Sequence, residues 1–278
     1  MPEQVITPEL RQWIIDQFAA GHSVESVLNA MKASGWRDDT ALAALENTFK
    51  DQALPLIEAS RPLPEVVMNE GGTIVWAHDR EVSVLASMAH PRVLVLGGLL
   101  SAQECQEMIE LAQPRLARSE TVINATGGSE INVARTSQGM FFARAENELC
   151  QRVEARIAAL LNWPVERGEG LQILRYGPGA EYKPHYDYFD PTQPGTPAVL
   201  RRGGQRVATL VTYLNTPTAG GATIFPDIGL QVSAVAGNAV FFSYALPHPM
   251  TQTLHGGAPV LAGEKWVATK WLREQRFE

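Results

Sequence analysis

In the segment RYGPGAEYKPHYDYFDP, His185 and Asp187 lie two positions apart. In an extended chain, residues i and i+2 point to the same side, so an imidazole and a carboxylate can converge on one ion. A His-x-Asp pair alone is a weak signal, because a surface hydrogen-bonded pair has the same spacing. With a second imidazole it becomes the two-His, one-carboxylate facial set, which leaves positions open on non-haem Fe(II) for a cosubstrate and oxygen. Beyond the pair the chain offers His248 and His255. His248, between Pro247 and Pro249, reads as a loop residue beside the site, and His255, ending the strand-like run Thr251 to His255, is the favoured third ligand. His22, His78 and His90 fall in helical or linker-like stretches and are assigned no chemistry.

Lys265 follows His255 by ten residues, in HGGAPVLAGEKW. A dicarboxylate that chelates iron through a 2-keto acid leaves a second carboxylate to be neutralised in the pocket, and an inward-facing cation on a strand does that. Alternation puts Lys265, Val267, Thr269 and Trp271 on one face and Trp266, Ala268, Lys270 and Leu272 on the other. Taken singly, Lys265 reads as a solvated lysine at a strand start. Its spacing from His255 raises the functional reading.

These residues need elements to position them. From Thr7 to about Asp51 the apolar positions recur at three and four: Leu10, Trp13, Ile14 and Phe18, then Val24, Val27, Leu28 and Met31, then Leu42, Leu45 and Phe49. Thr7-Pro8-Glu9 supplies a cap and a first-turn proline, Ser23 and Ser26 with Gly35-Trp36 punctuate the run, and a small bundle of three helices is expected over residues 1–52. Residues 53–90, with Pro55, Pro62, Pro64 and Gly71-Gly72 before an apolar run, suit a linker with a hairpin. The catalytic domain is expected over 91–278. It opens with a strand at Arg92 to Leu96, a helix whose Ser101 and Glu104 make a capping box, and a helix from about Ala145 to Leu161. Strands follow at Leu171–Tyr176, Val207–Leu214, Ala222–Phe225, Leu230–Ala234, Ala239–Ser243, Thr251–His255 and Trp266–Leu272, the spacing of an all-β sandwich or barrel.

Composition narrows the classes. The 278 residues are 45% hydrophobic and 19% charged, an ordinary globular balance, and the net charge of -7 with no long basic block argues against a nucleic-acid partner. Cys105 and Cys150 make no disulfide framework, which fits a reducing compartment. The N-terminal residues lack a signal-peptide pattern and no stretch has the length of a membrane span, so no membrane partner and a cytoplasmic location are expected.

Taken in order, RTSQGMFF, GEGLQILRYGPGAEYKPHYDYF, QRVATLVTYLN, GGATIFP and HGGAPVLAGEKWVATKW resemble the prolyl 4-hydroxylase family of Fe(II)/2-oxoglutarate dioxygenases over roughly Pro91 to Arg273. The resemblance implies an α+β chain with a double-stranded β-helix, or jelly-roll, and supporting helices. It implies His185, Asp187 and His255 as iron ligands and Lys265 as partner of the distal 2-oxoglutarate carboxylate, with Thr223 and Tyr176 hydrogen-bonding that cosubstrate. Tyr182, Trp271, Glu169 and Arg206 match positions lining a peptide groove, and Arg135 and Ser137 match part of a loop closing over it. Chemistry alone equally allows a core tryptophan, a Glu169–Arg206 ion pair and a solvated Arg135. At Arg273 the chain departs from relatives that carry a histidine there, which bears on peptide preference.

The implied reaction is 4-hydroxylation of a peptidyl proline in a protein or peptide substrate, with 2-oxoglutarate and O2 consumed, succinate and CO2 released, and ascorbate as a further candidate cofactor. The same cofactor chemistry on a free amino acid, small molecule or other side chain is the alternative, since fold does not fix substrate. Halogenation is disfavoured by Asp187, and demethylation of alkylated bases by the acidic balance. A non-catalytic peptide-binding sandwich predicts a lost ligand, and a cupin-like isomerase leaves Lys265 without a purpose. The SGWRDDTALAALE segment looks like the ubiquitin-associated three-helix type, a protein-interaction module, against the plainer reading of a bundle packed on the catalytic domain.

Overall fold

The computed structural model describes residues 4–20, 22, 24–48, 62–68, 72–122, 126, 128–131 and 135–278. The chain divides into two compact units, Met1–Leu63 and Pro64–Glu278. The first contains α1 (Pro8–Ala19), α2 (Val24–Ala33) and α3 (Asp38–Thr48). Thr7 caps α1 by accepting from the Leu10 N–H at 3.3 Å, and Pro8 occupies the first turn, where its missing N–H costs nothing. Gly35 ends α2 at φ 88°, and the Trp36 N–H returns to the Met31 carbonyl at 3.1 Å. Ile14, Val27, Met31, Ala41, Ala44 and Leu45 form the small core. Leu42, expected on the apolar face, is 46% exposed, because Ala41, Ala44 and Leu45 fill that face of α3. Ser23, Phe49, Pro55 and Gly71 lie outside the described residues.

The second unit holds β1 (Ile74–Ala77), β2 (Arg80–Met88), β3 (Val93–Gly97), α4 (Ala102–Ala112), β4 (Ala117–Arg118), β5 (Glu120–Val122), β6 (Ser129–Ile131), β7 (Gln138–Phe142) and α5 (Glu148–Leu160). After these come β8 (Leu171–Tyr176), β9 (Tyr182–His185), α6 (Thr196–Leu200), β10 (Arg206–Tyr213), β11 (Ala219–Gly220) and β12 (Thr223–Phe225). The chain closes through β13 (Leu230–Val232), β14 (Ala239–Ser243), β15 (His255–Gly257), β16 (Val260–Ala262) and β17 (Lys265–Arg273). A nine-stranded sheet runs in the order β1-β2-β3-β14-β10-β17-β8-β7-β4 and a four-stranded sheet in the order β13-β12-β15-β9. From β8 onward the main strands pass between these two sheets, all pairings being antiparallel. That alternation with the inner order β14-β10-β17-β8 opposite β13-β12-β15-β9 is the double-stranded β-helix.

The core is made by residues of both sheets: Leu174, Tyr213, Val240, Phe242 and Val267 from the large one, Phe225 and Val232 from the small one. Each such buried apolar side chain contributes about 1.5–3 kcal/mol. On the opposite face of β17, Lys270 pairs with Glu154 of α5, so that helix backs the large sheet. Both cysteines are free and buried. Among the described residues, no helix is long and apolar enough to cross a membrane.

Several boundaries differ from the sequence reading. The segment before His255 is a 3-10 turn, Pro249–Thr251, because Pro249 lacks an N–H and Gln252 turns left-handed at φ 54°; the strand begins at His255 itself. The Ala145 helix starts at Glu148, since Ala145 is at φ 55° and Asn147 caps the Cys150 N–H at 2.8 Å. The hairpin assigned to the 53–90 linker is β1–β2, hydrogen-bonded to β3 as part of the large sheet. Residues 64–90 therefore belong with the second unit.

Candidate functional site

His255 opens β15 directly opposite His185, the last residue of β9. Cross-strand partners stand roughly 4.5–5.5 Å apart at Cβ, and here the two imidazole centres are 4.5 Å apart. Asp187 lies just past the end of β9 and turns its carboxylate between them, with Oδ1 3.5 Å from His185 Nε2 and Oδ2 3.3 Å from His255 Nε2. Each Nδ1 lies 2.9 Å from a backbone carbonyl, that of Lys183 for His185 and that of Thr253 for His255. A carbonyl only accepts, so each Nδ1 carries a proton and each Nε2 is turned toward the carboxylate, donating to it when protonated and free to ligate a cation when not. Burial opposes the Asp187 charge, but His255 and His185 outweigh it and hold the carboxyl well below the usual carboxylate range. Burial, then the neighbouring His255, lowers the pKa of His185. Among the described residues these three form the group whose donor atoms, all within 4.8 Å of one another, could hold a metal ion. Two neutral imidazoles and one carboxylate fit a divalent iron.

Lys265 begins β17 beside Tyr176, its partner on β8. It is 4% exposed, its Nζ lies 5.6 Å from the Tyr176 ring and 5.7 Å from that of Tyr213, and no carboxylate among the described residues pairs with it. Burial alone pulls its pKa down to about 8. Thr223, at the start of β12, accepts from the Tyr213 hydroxyl at 2.8 Å. Tyr176, Tyr213, Thr223 and Lys265 thus line a polar corner of an apolar core whose charge and donors suit an anion.

The remaining residues named from the sequence also gather. Glu169 accepts two bonds from Arg206, at 2.7 and 3.0 Å, and the guanidinium lies 3.9 Å above the Trp271 ring. Burial disfavours the Arg206 charge, yet Glu169 raises its pKa overall. Trp271 Nε1 is buried and has no hydrogen-bond partner among the described residues. Tyr182 stacks on His185 at 3.7 Å, and Arg135 lies 4.8 Å over Tyr182 while donating to Gln172 at 2.7 Å. Ser137 bonds Ser119 at 2.9 Å, a structural contact. Burial lowers Arg273 to about 10 despite Glu169 nearby at 3.6 Å. His248 stands outside the metal group, its Nδ1 accepting from the Met250 N–H at 3.2 Å.

Three side chains at the site were not singled out by sequence reasoning: Thr209, Tyr213 and Tyr244. Thr209 donates to Asp187 Oδ2 at 2.7 Å and lies 3.0 Å from the Tyr244 hydroxyl. Alternation along QRVATLVTYLN puts Thr209 and Tyr213 on one face, a signal that could have found both. Tyr244 follows β14 and had no such signal.

A double-stranded β-helix whose strand ends carry this facial set beside a buried lysine, unpaired among the described residues, defines a 2OG-Fe(II) oxygenase. The 2OG-Fe(II) oxygenase superfamily matches residues 171–273. Prolyl 4-hydroxylase 1 of Arabidopsis thaliana is 39% identical over 225 residues, covering 72% of this chain and 78% of that protein. Probable prolyl 4-hydroxylase 10 of the same plant is 37% identical over 209 residues, covering 68% and 71%. A solved structure of the viral collagen prolyl hydroxylase of Paramecium Bursaria Chlorella virus-1, in complex with 2OG, aligns at 29% identity and a TM-score of 0.49, covering 65% of this chain and 95% of that one. The chain belongs to the prolyl 4-hydroxylase family. It is a 2-oxoglutarate-dependent dioxygenase that uses Fe(II), 2-oxoglutarate and O2.

Proposed function

We propose that the protein 4-hydroxylates a proline within a peptide or protein, with His185, Asp187 and His255 as iron ligands. The observation that carries the reading is the facial set beside Lys265, buried without a carboxylate partner among the described residues. When bound, iron supplies the oxidative chemistry that couples decarboxylation of 2-oxoglutarate to succinate and CO2 with oxygen insertion into an unactivated C–H bond. The chain's residues do the rest. Lys265 receives the distal carboxylate, and Thr223 and Tyr176 orient it. The apolar side chains Phe242 and Phe225, whose rings lie 4.4 and 6.0 Å from that of His255, keep water from the reacting centre.

Family likeness supports a prolyl acceptor, as does the cluster beside the metal group. Trp271 offers an N–H donor that no described residue accepts, beside Arg206, which Glu169 and the Trp271 ring hold in place, and Tyr182 adds an aromatic edge next to the metal group. An interaction role for the N-terminal helices, ascorbate as reductant and a cytoplasmic setting belong to the same proposal; they rest on the sequence reading. The test measures succinate release with proline-containing peptides and locates the hydroxyl by mass spectrometry and hydroxyproline analysis. Wild-type protein should couple the two, and the His185→Ala and Asp187→Ala proteins should do neither. Succinate release stimulated only by free amino acids would replace the peptidyl acceptor with a small one.

A further inference from the structure

We propose that Thr209 and Tyr244 form a hydrogen-bonded brace that fixes the rotation of the Asp187 carboxylate and keeps it from binding metal through both oxygens. The inference rests on the reading of His185, Asp187 and His255 as iron ligands. Thr209 Oγ1 lies 2.7 Å from Asp187 Oδ2. A carboxylate can only accept, so the single Thr209 proton points at Oδ2. The threonine oxygen, 3.0 Å from the Tyr244 hydroxyl, must then accept from it, and the direction is set: Tyr244 to Thr209 to Asp187. Thr209 is 0% and Tyr244 2% exposed, so bulk water does not compete.

Thr209 is also held rigidly. It sits on β10 in the middle of the large sheet, with Phe242 of β14 opposite on one side and Trp271 of β17 on the other. A β-branched side chain there has little rotamer freedom. Asp187 itself lies two residues past the end of β9, outside the strand pairing that holds the backbone of His185. The brace supplies what the strand does not.

The chemistry needs this. His185, Asp187 and His255 would each give a bound iron one donor atom, which would leave room on it for a chelating keto acid and for oxygen. A second carboxylate oxygen would take part of that room. A charge-assisted hydrogen bond on Oδ2 shares that oxygen's lone pairs with Thr209 and leaves Oδ1 the freer donor.

The test uses the full chain under anaerobic conditions, with Fe(II) affinity by chelator competition and Co(II) absorption as a signature of coordination number. Thr209→Val keeps the shape and removes the hydroxyl. It should weaken Fe(II) binding by about tenfold or more, the range for lost outer partners of a metal ligand, and change the Co(II) spectrum. Thr209→Ser should restore both, and Tyr244→Phe should shift both in the same direction by less. Wild-type affinity and spectrum in a folded Thr209→Val protein would overturn the brace. Should that variant fail to fold, an unchanged Tyr244→Phe protein would overturn it instead. Absence of Fe(II) binding by the wild type would strike the ligand assignment itself, a separate failure.

Discussion

At the scale of single residues, Lys265 makes the sharpest demands. A hydrogen-bonded pair with a charged group contributes roughly 1.5–3 kcal/mol, so Lys265→Ala should weaken 2-oxoglutarate by about tenfold or more and leave Fe(II) affinity nearly unchanged. Its pH behaviour follows from burial, which lowers the ammonium's pKa to about 8 in the ligand-free site. A lowered pKa means that the charged form is present below that value and lost above it. Cosubstrate affinity should therefore fall as pH rises past 8, by up to about tenfold per unit, because a proton must be taken up on binding. Lys265→Arg should bind less well at pH 7, since its planar fork has a different reach, yet lose this slope because the guanidinium stays protonated. Titration of metal-loaded protein at several pH values checks both points; a flat wild-type profile would remove Lys265 from the anion site. His248→Ala should keep near-normal Fe(II) affinity, whereas His255→Ala should not, and iron titration in the reverse order would exchange their roles. The sequence alone showed these residues because each is a rare type at a telling spacing. It did not single out Thr209, whose place on the inward face was legible but whose contact with Asp187 was not, nor Tyr244, which lies past the end of β14.

At the scale of elements, Arg156 of α5 ties together parts that the sequence presents as separate. It donates to Asp79 at the β1–β2 turn through two bonds of 2.8 Å, to the Leu99 carbonyl after β3 at 2.8 Å, and to Glu104 of α4 at 3.0 and 2.8 Å. Its side chain is 2% exposed. Removing one partner of such a network leaves buried charge uncompensated, at a cost of about 3–5 kcal/mol. Arg156→Met should show that loss in urea unfolding at pH 7. The guanidinium, the Ser101 cap and Arg152 together outweigh burial and hold Glu104 at about 2. A lowered carboxyl pKa stabilises the fold above the ordinary value and ceases to do so as pH falls from 4.5 toward 2, a loss on the order of 3 kcal/mol. The wild type should lose stability over that window, and Arg156→Met should be much flatter. The capping box at Ser101 and the strands from Leu171 on were legible because caps and alternation are local signals. Arg156 joins residues 77 and 52 positions away, a separation at which local pattern says nothing.

At the scale of the whole molecule, every residue of the site lies in the unit Pro64–Glu278. The position at which that unit begins decides whether it stands alone. A chain starting at residue 91, where the motifs resembling the family begin, would lose β1 and β2 and uncover the flank of β3. It would also remove Asp79 from Arg156 and take away Val82, a fully buried side chain of β2. A chain starting at Pro64 keeps all of this, together with the Glu65 N–H bonded to the Leu161 carbonyl at 2.9 Å, the Glu65–Arg92 pair at 3.6 Å and the buried Val66. Residues 64–278 should therefore fold cooperatively and bind Fe(II) and 2-oxoglutarate about as tightly as the full chain. Residues 91–278 should be insoluble or unfold at much lower urea, since the large sheet would end in an unprotected strand with a stranded buried guanidinium. Circular dichroism, urea unfolding and anaerobic titration on the two shortened proteins distinguish these outcomes. Equal stability of the two would mean that the hairpin is an appendage; failure of both would mean that the catalytic unit depends on the helices before it.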